Sequence, residues 1–108
     1  QPASAGAHPS PGMHPRHYSP LTPLFLVRDG HVPTQGSGAY LQFRRQLHER
    51  VSEVIVMPGT AAEYATRLYS VLHALDARGY DWIAVDTPGP GAEWEAVLDR
   101  LRRAASSL

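Results

Sequence analysis

Short apolar runs alternate with amphipathic segments along residues 24–105, and this alternation predicts a small α/β domain. Largely apolar runs at 24–27, 53–57 and 82–85 predict strands, and the continuous run at 24–27 is typical of a strand that is buried on both faces. An amphipathic segment separates or follows each run. The order strand, helix, strand, helix, strand, helix predicts a short parallel sheet with right-handed crossovers, which is a minimal Rossmann-like three-layer domain.

The predicted helix after Thr60 has the clearest signals at both ends. Thr60 suits the N-cap, Glu63 completes a capping box, and Gly79 is placed to end the helix. Its apolar face is predicted to hold Tyr64, Ala65, Leu68, Val71, Leu72 and Leu75. Helices are also predicted over 39–50, where the apolar stripe is narrow, and over 92–105.

Residues 1–23 have a different composition and predict an extended linker. Prolines prevent helix formation and remove backbone donors along this stretch: Pro2, Pro9, Pro11, Pro15, Pro20 and Pro23. A segment of this kind is semi-rigid and suited to lying across another surface. The chain therefore divides into a Pro-rich linker over 1–23 and an α/β domain over 24–108.

The linker also carries Arg16, His17 and Tyr18 in succession. A guanidinium group, a hydrogen-bonding ring and a phenol suit the recognition of a nucleotide or a phosphate. From this chemistry alone, a solvated linker without a binding role is an equally good interpretation.

Residues 11–24 resemble the interdomain linker of Sua-five-type threonylcarbamoyl-AMP synthases. The matching stretch reads Pro11-Gly12-Met13-His14-Pro15-Arg16-His17-Tyr18-Ser19-Pro20, followed by Leu21-Thr22-Pro23-Leu24. Residues 64–76 and 99–105 resemble two helical motifs of the same family, in the same order. The resemblance covers roughly residues 10–28 and 52–105.

In that family, a YrdC-type domain condenses threonine, bicarbonate and ATP to threonylcarbamoyl-AMP, which is used to make threonylcarbamoyladenosine in tRNA. The resemblance implies that ATP and Mg²⁺ bind to a YrdC-type domain of the same cytoplasmic polypeptide, and that this chain holds no catalytic residue and no metal ligand. It also implies that Arg16, His17 and Tyr18 contact the nucleotide when the linker closes over the site. The residues expected to set the path of the linker are Pro11, Gly12, Met13 and Pro20.

The composition narrows the alternatives. Ten basic residues balance ten acidic ones, which argues against a dedicated nucleic-acid or membrane binder, so direct tRNA contact is not expected. The absence of Lys and Cys excludes nucleophiles of both types and makes an independent hydrolase a remote possibility. The main alternative is a free-standing α/β module that binds a nucleotide or a protein. Because the chain begins with Gln1, we expect a fragment or a processed product.

Other residues give weaker indications. The family's accessory domain usually has a further strand and helix within the interval 29–52. Here only a loop and one helix are predicted in that interval, so a reduced sheet is expected.

Gly36-Ser37-Gly38 before a predicted helix is a weak phosphate-loop candidate. Asp86 follows a strand at the edge where α/β proteins bind ligands, but it has no catalytic partner. The histidines lack metal-ligand spacing, and Trp82 and Trp94 are interpreted as core or interface anchors.

Overall fold

A computed structural model describes residues 20–28, 30–44 and 51–105. These residues form a four-stranded sheet in which every pair of neighbouring strands is parallel. The strands are β1 (Leu24–Val27), β2 (Gly38–Gln42), β3 (Glu53–Val56) and β4 (Trp82–Asp86), in the spatial order β1-β4-β2-β3. The helices are α1 (Ala61–Ala77) and α2 (Glu95–Ala104), and a 3₁₀ turn at Ala92–Trp94 leads into α2. The predicted small α/β fold with a short parallel sheet is confirmed.

The prediction of a helix over 39–50 is wrong at its start. Gly38–Gln42 is a strand that lies between β4 and β3, with hydrogen-bonded neighbours on both sides. Ala39 and Leu41 enter the core on one face while Tyr40 enters it on the other, so an Ala- and Leu-containing segment is held extended by burial on both faces. The expectation that the interval 29–52 lacks a further strand is therefore also wrong. Residues 45–50 lie outside the described part.

The sheet has one large and one small apolar face. The strand residues of the large face pack with both helices, and they are Leu24, Ala39, Leu41, Ile83 and Val85. The smaller face holds Tyr40, Trp82 and Ala84, together with Val32 and Val51 from the connections after β1 and β2. The connections after β1 and β2 run along the sheet in one direction on the small face, whereas the connection from β3 to β4 runs back on the large face. All three crossovers therefore have the same hand, as parallel crossovers require.

The two helices follow the sequence signals closely. The amide of Glu63 donates to the Thr60 hydroxyl at 3.4 Å, which confirms Thr60 as the N-cap of α1. Gly79 follows the C-cap with a positive φ of 72°, which glycine adopts without strain. The buried residues of α1 are Tyr64, Leu68, Val71, Leu72 and Leu75. The predicted apolar face is thus confirmed, with Ala65 at its half-buried margin.

One surface ion pair gives the domain an expected pH dependence. Arg78 and Tyr80 both donate to Oε1 of Glu53 on the edge strand β3, and the hydrogen bond from Arg78 lowers the pKa of Glu53 below 4.5. A carboxyl group whose folded pKa is depressed stabilises the fold above its unfolded pKa, and this contribution is lost as the pH falls through the folded pKa.

We expect Glu53→Gln to lower the melting temperature slightly at neutral pH, since exposed ion pairs contribute little. The difference from wild type should shrink once the pH falls below the ordinary pKa of a glutamate, and it should disappear only below the depressed pKa of folded Glu53. Thermal melts of both proteins from neutrality down to about pH 3 measure this. A constant difference across that range would contradict the assignment.

Candidate functional site

The last residues of the predicted linker are fixed to the domain at the C-terminal end of α1. The backbone amides of Leu21 and Thr22 donate to the two carboxylate oxygens of Asp76 at 3.0 and 2.9 Å. Thr22 is buried, and the carbonyl of Pro23 accepts a hydrogen bond of 2.8 Å from the amide of Ile83 on β4. The chain therefore enters β1 from a fixed position.

This anchor joins two segments that are far apart in the sequence. Asp76 is the last residue of the helical motif at 64–76, and it binds the backbone of residues that end the linker motif. The sequence alone does not assign Asp76 a role. The signals for this pairing are an Asp that ends one motif and a Thr-Pro pair that ends the other. Leu21 itself is 94% exposed, so its side chain is presented outward beside the anchor.

A pocket of about 540 Å³ lies at the opposite end of the sheet, where β1, β2 and β4 end. The connection after β1 leads to the small apolar face, whereas α2 follows β4 on the large face. Neighbouring parallel strands whose connections leave to opposite faces form the crevice in which α/β proteins bind ligands. The pocket is lined mainly by Arg28, Phe43, Arg44, Asp86, Leu98 and Arg102.

Asp86 organises the floor of this pocket. Its side chain is 1% exposed, and its Oδ2 accepts hydrogen bonds from the amides of Phe43 and Arg44 at 3.1 and 2.8 Å. The carboxylate thus fixes the chain just after β2. This structural role explains why an acid is buried at the end of β4. Burial, and secondarily the charge of Asp86, raise the pKa of Tyr64, whose buried hydroxyl has no hydrogen-bond partner among the described residues.

Three aromatic rings support the pocket from the core side. Phe43, Tyr64 and Trp94 pack edge to face, with ring centroids 4.9 to 6.1 Å apart. Phe43 links this cluster to the pocket wall, and the guanidinium carbon of Arg44 lies 5.0 Å from the centre of its ring. Arg44 is therefore positioned both through its backbone, by Asp86, and through its side chain, by a cation–π contact.

The structure shows where the less specific candidates from the sequence lie: the glycine-rich stretch 36–38, the two tryptophans and a histidine. Residues 36–38 lead into strand β2, which begins at Gly38, and they do not precede a helix, so the phosphate-loop interpretation is wrong. The amide of Ser37 instead donates to Asp81 at 2.8 Å. Trp82 and Trp94 are buried, which favours the core over the interface interpretation for both. His73 is exposed on α1 and stacks on Tyr69.

Across 20–28, 30–44 and 51–105, no three His, Asp or Glu side chains form a metal-binding group. In the same ranges, no helix is long and apolar enough to cross a bilayer.

The linker residues named from the resemblance fall mostly outside the described part. Of them, only Pro20 is described, and it is half-buried next to the Asp76 anchor. The predicted nucleotide contacts Arg16, His17 and Tyr18 stay predictions, and so do the path residues before Pro20, which are Pro11, Gly12 and Met13.

A comparison with protein families matches residues 1–106 to a model described as the threonylcarbamoyl-AMP synthase C-terminal domain. The match includes the linker and both helices. No curated protein and no solved structure shows a significant match to the chain.

Proposed function

Because the chain belongs to the family of C-terminal domains of threonylcarbamoyl-AMP synthase, we propose that it is a non-catalytic regulatory domain whose linker acts as a lid. In this proposal, the linker closes over the ATP and threonylcarbamoyl-AMP site of a YrdC-type domain in the same cytoplasmic polypeptide. Nucleotidyl transfer takes place in that domain, which also binds ATP and Mg²⁺. The contribution of this chain to tRNA threonylcarbamoyladenosine synthesis is to hold the linker and limit its motion.

The anchor at Asp76 is the observation that carries the proposal. A lid needs one end that is fixed relative to a rigid body, since a tether confines the free end to a small volume and raises its effective concentration at the site it covers. The bonds from Leu21 and Thr22 to Asp76 supply such a fixed end, and the pairing of β1 with β4 continues it into the sheet. A Pro-rich segment before the anchor would transmit the constraint, because it is stiffer than a Gly- or Ser-rich linker.

Replacing Asp76 with alanine tests this function in the complete enzyme. We expect a severalfold fall in the rate of threonylcarbamoyl-AMP formation, because the linker loses its fixed end while the YrdC-type domain is untouched. Asp99→Ala is the matched control, since Asp99 is an exposed acid that pairs with Arg103 on α2, away from the linker. The measurement is ATP-dependent product formation at saturating substrates.

Two controls keep the result interpretable. The melting temperature separates loss of the anchor from unfolding, and Asp76→Asn, which keeps an acceptor oxygen, should fall between wild type and Asp76→Ala in rate. An Asp76→Ala enzyme that is folded and has wild-type turnover would refute the lid proposal.

A further inference from the structure

Three arginines from separate elements line the pocket at the carboxyl edge of the sheet. Arg28 follows β1, Arg44 follows β2, and Arg102 lies in the last turn of α2. Among the described residues, the ion pairs involve Arg78 and Arg103, and none involves an arginine of the pocket. Guanidinium groups bind phosphate oxygens through charge-assisted, often bidentate hydrogen bonds. The pocket therefore offers three cationic donors to a ligand.

The rest of the wall suits an organic body more than a bare ion. Phe43, Leu98 and the prolines at 88 and 90 contribute apolar surface. A volume of about 540 Å³ falls within the range of roughly 300–1,000 Å³ that is typical of small-molecule sites. A single phosphate would leave most of this space to water, whereas a molecule the size of a nucleotide would fill it.

The site is also preorganised. Asp86 holds the amides of Phe43 and Arg44, so the pocket wall after β2 is fixed by a buried carboxylate. The Arg44 side chain is further restrained over the Phe43 ring. Preorganised donors lose less conformational freedom on binding, which strengthens the interaction with a ligand.

We propose that this pocket is a second ligand site, separate from the linker, which binds a phosphate-bearing small molecule of nucleotide size through Arg28, Arg44 and Arg102. The proposal does not depend on the lid function, since it concerns the end of the sheet opposite to Asp76. It assigns to this domain a binding event of its own.

Inorganic pyrophosphate is the probe, titrated into the complete protein by calorimetry. The variant Arg44→Gln/Arg102→Gln removes two of the three pocket cations, and Arg67→Gln/Arg103→Gln removes two cations from exposed helix positions outside the pocket. We expect the pocket variant to lose pyrophosphate affinity by about tenfold or more at one class of site, as each charge-assisted hydrogen bond is strong. The surface variant should bind as wild type does. Because the substitutions lie in this domain, pyrophosphate bound elsewhere in the protein does not affect the comparison.

Competition separates the possible sources of the phosphate. AMP should displace pyrophosphate from the site that the pocket variant lacks. Stronger displacement by a short single-stranded RNA than by AMP at equal phosphate concentration would identify a nucleic-acid backbone and overturn the small-molecule proposal. Equal weakening in both arginine variants would indicate diffuse electrostatic attraction, and a titration that neither variant alters would locate binding elsewhere. Either result would overturn the site, and neither bears on turnover in the Asp76 variants.

Discussion

Replacing Gly38 with alanine is expected to destabilise the domain by about 3 kcal/mol, at the upper end of the usual cost of overfilling a packed core. Gly38 begins the central strand β2 directly opposite Trp82 on β4. A Cβ at this position would overlap the ring carbons Cδ2, Cε2 and Cε3 of Trp82. The glycine is therefore required by close approach of the indole, without any demand for an unusual φ.

The indole cannot move aside easily. Trp82 is 5% exposed, it packs with Tyr40 and Ala84 on the small apolar face, and its Nε1 donates to the carbonyl of Gln35 at 2.9 Å. Moving the ring would break this hydrogen bond and disturb the pairing of β2 with β4. Both outcomes reduce the stability of a small domain, whose total free energy of unfolding is only about 5–15 kcal/mol.

Chemical denaturation of Gly38→Ala beside Gly59→Ala measures the effect. A Cβ at Gly59 would meet no atom within 4 Å, so this control should be neutral, or stabilising by up to about 1 kcal/mol through the unfolded chain. If Gly38→Ala unfolds at the same denaturant concentration as wild type, the indole is free to shift and the close-packing argument fails.

The elements that sequence reasoning found are those whose signals are local. α1 has its cap, its apolar face and its terminal glycine within one segment, from Thr60 to Gly79. Strand β4 is an unbroken apolar run from Trp82 to Val85, because it is buried on both faces between two parallel neighbours. Such features follow from the residues alone, with no need to know what packs against them.

Strand β2 was missed because its extended state depends on partners that are distant in the sequence. Ala39, Leu41 and Gln42 suit a helix by intrinsic preference, and the strand is held by burial on both faces and by hydrogen bonds to β3 and β4. The same dependence hid the pocket. Arg28, Arg44 and Arg102 come from three separated segments, and without strand β2 the carboxyl end that carries Arg44 could not be placed beside the other two.

The linker is the opposite case, because its chemistry was visible in the sequence while its attachment was not. Arg16, His17 and Tyr18 stand out among prolines, and the family match covers them. The Asp76 anchor required the fold, since its partners lie 54 and 55 residues away. In the proposed lid, the predicted contact segment is followed only a few residues later by the anchored residues Leu21 and Thr22.

Alanine in place of Arg16, His17 and Tyr18 together is expected to lower threonylcarbamoyl-AMP formation in the complete enzyme by about tenfold to a hundredfold. A hydrogen bond between a guanidinium group and a phosphate contributes roughly 1.5–3 kcal/mol, and each 1.4 kcal/mol corresponds to about tenfold in rate if the bond is made in the transition state. The domain should keep its melting temperature, because the substituted residues precede the anchored segment that starts near Pro20.

The matched control is alanine at Ser4, His8 and Ser10, which are polar linker residues before the motif. It should retain wild-type turnover, which would separate specific contacts from a general effect of linker composition. Arg16→Lys refines the assignment, since lysine keeps the charge but loses the bidentate geometry, and an intermediate rate is expected if the guanidinium group binds a phosphate. Wild-type turnover in the folded triple variant would indicate that the linker only connects two domains. The pocket at the carboxyl edge of the sheet would then be the remaining candidate site for the function of the domain.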